Sequence, residues 1–156
     1  FTPKSMLRLR GATSSVEDFT TGSFQPVIDD ENAQKDQVTR VVLTSGKVYY
    51  DLRGALEKNP DPRIALVRVE QYYPLPAMEL GRVLAQYADA ELVWVQDEPE
   101  NQGAWPFISL VLAKHLLNDK IRVVSRAASA APSTGSAKVH AAEQEALIRE
   151  ALSFGQ

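Results

Sequence analysis

The chain has no cysteine, so a disulfide scaffold, a thiolate metal site and a cysteine nucleophile are all closed to it. It holds only two histidines, His115 and His140, and neither is accompanied by Ser/His/Asp or metal-ligand spacing. No apolar run approaches the about 20 residues that a membrane-spanning helix requires. An excess of positive charge is missing too. The 17 basic residues face 20 acidic ones, for a net charge of -3, whereas nucleic-acid-binding domains carry a basic patch. GxGxxG, Walker and HExxH signatures are absent. The start, Phe1-Thr2-Pro3-Lys4, has neither a methionine nor the apolar stretch of a secretory signal. The expectation is a piece of a longer cytoplasmic polypeptide, without a nucleic-acid or membrane partner.

What is present suits one packed domain. The chain has 156 residues, of which 44% are hydrophobic, enough to bury a core. Residues 1–37 differ from the rest. They combine the basic Lys4, Arg8 and Arg10, the acidic Asp29, Asp30 and Glu31, and scattered Val16, Phe19, Phe24, Val27 and Ile28 without a sustained period. Irregular chain with large apolar residues needs something to cover it, so this part reads as a linker packed on a neighbouring domain.

From Val38 onward the pattern is regular. Val41-Val42-Leu43, Ile64 to Val67, Leu92 to Val95 and Ile121 to Val124 are short apolar runs of strand length. Helical patterns follow them over about Lys47 to Lys58, Ala77 to Tyr87, Trp105 to Leu117 and Lys138 to Ser153. Asn59-Pro60-Asp61-Pro62 stops the first, because proline lacks an amide hydrogen and clashes with the preceding turn. Strands that are apolar throughout, alternating with helices, predict an open, mostly parallel α/β sheet with helices on both faces and right-handed crossovers.

Thr44-Ser45-Gly46-Lys47 follows a strand and opens a helix, where free amides and a lysine suit an anion. A plain cap, with Thr44 or Ser45 accepting from the first turn, is the reading adopted. Asp97-Glu98-Pro99-Glu100-Asn101 falls after the third strand, where open sheets place their sites, but its carboxylates complete no cation-ligand pattern. It reads as a solvated or interface loop, with Trp105 as its anchor or a subunit contact. His140 beside the small-residue loop Ser125 to Ser136 reads as a structural hydrogen-bonding group, and His115 as a packed or partly exposed one.

Several segments together resemble the C-terminal region of the decarboxylating component of 2-oxoglutarate dehydrogenase. They are Phe1 to Arg8 (FTPKSMLR), Ser45 to Leu52 (SGKVYYDL), Val69 to Pro74 (VEQYYP), Gln96 to Trp105 (QDEPENQGAW), and Arg126 to Pro132 (RAASAAP) with His140. The composition of the linker is most similar to that of the actinobacterial branch. The resemblance implies a transketolase-type C-terminal domain over 38–156, preceded by the end of another domain and an interdomain connection over 1–37. It implies an enzyme that uses thiamine diphosphate and magnesium, both bound by other domains, to decarboxylate 2-oxoglutarate and pass the succinyl unit to a lipoyl group of an acyltransferase component. It also implies a homodimer. No catalytic, cofactor-binding or metal-ligating residue is carried over to this chain, and the chain alone is expected to be inactive. Two further expectations follow. Lys4, Arg8, Ser45, Lys47, Arg53, Arg68 and Lys138 form a candidate site for a nucleotide or acetyl-CoA effector. Trp105, Glu98 and Asn101 are candidate interface residues. A free-standing α/β module for a small anion or protein partner is the alternative that the residues alone leave open.

Overall fold

The computed structural model describes residues 3–87, 89–112 and 121–154. Five strands form one sheet: β1 (Val27–Ile28), β2 (Arg40–Thr44), β3 (Ile64–Val69), β4 (Glu91–Pro99) and β5 (Ile121–Arg126). The order across the sheet is β1-β3-β2-β4-β5. All neighbours are parallel except β1, which runs antiparallel to β3 with Val27 opposite Val69. The parallel register sets Val42 between Leu66 and Val93.

Successive side chains of a strand point to opposite faces, and both faces here are covered. On one face Val42, Leu66, Val93 and Val124 pack with Val48 and Leu52 of α2 (Lys47–Lys58) and Leu147 and Ala151 of α5 (Ala137–Leu152). On the other, Val41, Leu43, Val67 and Trp94 pack with Leu80 of α3 (Ala77–Leu84) and Ile108 and Leu112 of α4 (Trp105–Leu112). Fully burying one such leucine or valine is worth about 1.5–3 kcal/mol. The sheet is therefore the thermodynamic body of the domain. Residues 113–117 of the expected fourth helix, and His115, lie outside the described residues. No helix among the described residues is long and apolar enough to cross a membrane.

Three local features depart from the sequence pattern. The third helix ends at Leu84 and tightens into a 3₁₀ turn over Ala85–Tyr87. The strand β4 runs past its apolar run to Pro99, so Asp97 and Glu98 sit on a strand and not in a loop. Its pairing with β5 is irregular between Val95 and Pro99, and polar residues there hide the extension from an apolar count. The helix α2 is capped by neither Thr44 nor Ser45. Gly46 is its N-cap, at φ 69 and ψ -143, without a side-chain cap bond. Such a backbone conformation belongs to glycine. Thr44 instead donates its hydroxyl to the Val95 carbonyl at 2.9 Å, fastening β2 to β4.

The segment before Val38 has structure of its own. Lys4–Arg8 and Arg10–Ala12 are 3₁₀ turns. The short helix α1 (Val16–Thr20) starts with a capping box in which Ser15 and Asp18 satisfy each other's amides. The chain then joins the sheet edge as β1. Asp30 follows, 4% exposed, and its carboxylate accepts from the Leu66 amide at 2.9 Å and from Arg53 at 2.7 Å. One buried acid thus ties the incoming chain to β3 and α2. Its neighbour Asp29 accepts from Tyr87 and Lys35, each at 2.7 Å. Burial pushes the Asp29 carboxyl up, but these bonds, with the Asp30 amide, hold it below its ordinary value.

Candidate functional site

The carboxyl ends of β2 and β4, the chain that follows β3, and the end of β5 converge on a cleft of about 750 Å³. That is where an open parallel sheet presents its loops. Ser45 and Lys47 border it from the β2–α2 turn, Tyr72 and Tyr73 from the chain after β3, and Arg126 and His140 from β5 and α5. Its size and mixed apolar and polar lining are those of a small-molecule site.

Gln96 sets the shape of one wall. It is 3% exposed, and its side-chain oxygen accepts from Trp94 Nε1 at 3.1 Å and from the Trp105 amide at 2.8 Å. Its amide nitrogen donates to the carbonyls of Pro99 and Gln102 at 3.0 and 2.8 Å. A single satisfied amide fixes the bend in β4, the loop after it and the start of α4. The same loop is clasped from outside. Asn101 and Gln102 both donate to the Ser129 carbonyl, and the Ser129 amide returns a bond to Asn101 at 3.0 Å.

A charged network leads from the cleft residues Lys47, Asp97 and Arg126 to Asp51 and Gln144, which line a neighbouring cavity. Lys47 pairs with Asp51 one helical turn on and lies 3.9 Å from Asp97. Gln144 donates to Asp51 and Asp97 at 3.0 and 2.6 Å and accepts from Arg126 at 2.7 Å. Arg126 also meets His140 Nδ1 at 2.9 Å, which gives His140 the structural hydrogen bond expected of it. Two buried atoms of this cluster, Arg126 Nε and Glu143 Oε2, have no hydrogen-bond partner among the described residues. Tyr72 stands at the rim, where burial pushes its phenol up and a hydrogen bond with Ser45 partly offsets this. The lysine, the arginine and the open first turn of α2 suit an anionic group. An incoming anion would have to take Lys47 from its two carboxylates.

The effector candidates are not gathered into one place. Ser45 and Lys47 border the cleft. Arg53 is held by Asp30, and Arg68 by Glu70 at 2.9 Å while it stacks on Tyr49 at 4.7 Å. Neither arginine is among the residues that line the cleft. Lys4 and Arg8 lie on the exposed first turn and Lys138 at the exposed start of α5, without an ion pair among the described residues. Of the interface candidates, Trp105 is half-buried against the core. Glu98 is exposed beside Gly103, and Asn101 is engaged with Ser129. Gln96, Arg126 and Gln144 had no assigned role in the sequence. Arg126 ends the strand β5 two residues past its apolar run, and a charge at a strand's carboxyl end is the available signal for it. Among the described residues no group of three or more His, Asp or Glu is placed to hold a metal ion.

A family described as 2-oxoglutarate dehydrogenase C-terminal matches residues 13–152. Relatives named multifunctional 2-oxoglutarate metabolism enzyme, from Mycobacterium sp. (strain JLS) and Mycobacterium sp. (strain KMS), are each 44% identical over 160 residues. A relative of the same name from Mycolicibacterium vanbaalenii is 44% identical over 161 residues. In each case the match covers 97% of this chain and 13% of the relative, so the chain spans about an eighth of their length.

Proposed function

Since the chain belongs to the family of 2-oxoglutarate dehydrogenase C-terminal domains, we propose that it completes a thiamine-diphosphate- and magnesium-dependent enzyme that decarboxylates 2-oxoglutarate and passes the succinyl unit to a lipoyl-bearing acyltransferase component. The match across 13–152 carries this reading. The resemblance puts the thiamine diphosphate and magnesium sites in other domains, so no step of the chemistry is assigned to this chain. Its part is to hold other domains of the same cytoplasmic polypeptide, and the homodimer, in place. In this division residues 1–37 are the end of a preceding domain and a connection, and 38–156 the α/β domain onto whose edge the connection lays β1. The exposed apolar side chains of the connection support it, since Leu7, Val16, Phe19 and Phe24 are each at least 67% exposed here.

The strand-end cleft supports a regulatory role on the same domain. A nucleotide or acyl-CoA effector would set a phosphate against Ser45 and Lys47, with Lys4, Arg8 and Lys138 the candidate cations that form no ion pair among the described residues. Arg53 and Arg68 would contribute only by leaving Asp30 and Glu70.

The test is an assay of carbon dioxide release from 2-oxoglutarate with thiamine diphosphate and magnesium. The long polypeptide from which the chain comes is expected to turn over and the 156-residue chain to stay at blank. Turnover by the chain, or none by the long polypeptide, refutes the proposal. Calorimetry of acetyl-CoA and AMP on the long polypeptide, repeated after Lys47→Ala and Arg8→Ala, tests the effector site separately. Affinities unaltered by both substitutions would remove it.

A further inference from the structure

His140 is the one histidine among the described residues, and it stands where two cavities meet. The strand-end cleft and a second cavity of about 770 Å³ between α2 and α5 share two lining residues, Lys47 and His140. Arg126 lines the cleft but not the second cavity. The contact between His140 Nδ1 and Arg126 Nη1, at 2.9 Å, has one possible polarity. A guanidinium keeps its charge and carries donors only, so Nδ1 accepts with its lone pair. His140 is therefore uncharged in this arrangement, with its ring proton on Nε2. A proton added to Nδ1 would set two donors and two positive charges against each other, and the bond would be lost.

The charged groups around the ring decide where it then goes. Arg126 of β5 and Lys47 of α2 are cations, as is Lys138 at the exposed start of α5. Asp51 of α2 is held by Lys47 and Gln144, and Asp97 of β4 by Gln144 with Lys47 at 3.9 Å. Glu98 of β4 and Glu145 of α5 border the two cavities from exposed positions. Glu143 differs. Its Oε2 is buried, lies 3.7 Å from Arg126 Nη1 and has no hydrogen-bond partner among the described residues. It follows His140 by three residues on α5, and side chains at that spacing are neighbours on a helix. We infer that His140 is a proton-operated latch between the two cavities. Uncharged, its ring is fastened to Arg126. With a proton taken from solvent onto Nδ1, it leaves Arg126 and donates to Glu143. Release frees Arg126 Nη1 for a ligand in the strand-end cleft. The inference stands on the chain's own geometry and depends on neither the enzyme reading nor the effector reading.

Nuclear magnetic resonance on the 156-residue chain with isotope-labelled histidine and arginine tests it, with His115→Gln removing the other histidine. At about pH 8 the expected unprotonated ring nitrogen is Nδ1, with the ring protons close to Arg126. At about pH 5 both ring nitrogens should carry protons, the Overhauser contacts to Arg126 should be lost, and those to Glu143 should strengthen about twofold or more. Glu143→Gln keeps the shape and removes the charge. It should leave the contacts at the higher pH as they are and abolish the strengthening at the lower. A proton on Nδ1 at the higher pH, Arg126 contacts that survive at the lower, or a Glu143→Gln chain that behaves as wild type overturns the inference.

Discussion

Residues 3–26 and the sheet that follows contain similar apolar side chains put to opposite use. In the first region no side chain is buried, although Phe19 is 80% exposed and Phe24 67%. In the second, Val41, Leu43, Leu52, Val67 and Val93 are all fully enclosed. Core residues follow the period of the element that carries them, because the partner surface is the same chain folded on itself. The arm, residues 3–26, follows no period; on the proposed reading the surface it packs on lies in another domain, and lack of periodicity together with large apolar residues then marks an interface.

The sharpest way to break that comparison is to truncate one residue from each region in the 156-residue chain. Leu52→Ala should cost about 3–4 kcal/mol, since it empties a closed site between α2 and the sheet. Phe19→Ala should cost under about 0.5 kcal/mol in the same urea titration. Equal losses would mean that the arm is part of the core.

Asp30 is the joint between the regions. Asp30→Ala strands the Leu66 amide and the Arg53 guanidinium together, and should cost about 2–3 kcal/mol by urea denaturation. A loss under about 0.5 kcal/mol would show that the joint is ornamental to stability. Gly46→Ala forces a side chain into a positive-φ cap and should cost about 1–2 kcal/mol, although open space surrounds the position. A neutral result would show that the turn rearranges.

These residues also mark how far the sequence reads. The four apolar runs and the amphipathic faces of α2 and α5 identify the parallel strands and the helices on both sides, because burial and period are local signals. The edge strand β1 has two residues and exists through backbone bonds to β3, which leave no pattern in the chain. In the sequence Asp30 is one of three successive acids, Asp29 to Glu31, and its burial depends on Arg53 and Leu66, 23 and 36 residues away. The site divides the same way. Ser45 and Lys47 follow from the rule that strand ends face the ligand, but Arg53 and Arg68 are withdrawn from it by acids that only the fold brings near.

The smallest expected effect is on acid stability at the joint. The folded-state pKa of Asp29 is lowered, because its bonds to Lys35 and Tyr87 outweigh burial, which acts the other way. Its stabilising contribution is therefore complete above the unfolded carboxylate value of about 4 and is lost as pH falls through the folded value. The stability gap between wild type and Asp29→Asn should narrow on acidification. A gap constant from about pH 6 to about pH 2 would contradict that assignment.

The central claim is that the arm is an interface whose partner lies elsewhere in a longer enzyme polypeptide. Hydroxyl-radical footprinting of Phe19 and Phe24 tests it most directly, comparing the 156-residue chain with that polypeptide. Both rings are expected to oxidise readily in the chain, where they are 80% and 67% exposed, and to be protected in the long polypeptide. Equal oxidation of both rings in the two proteins would contradict the claim.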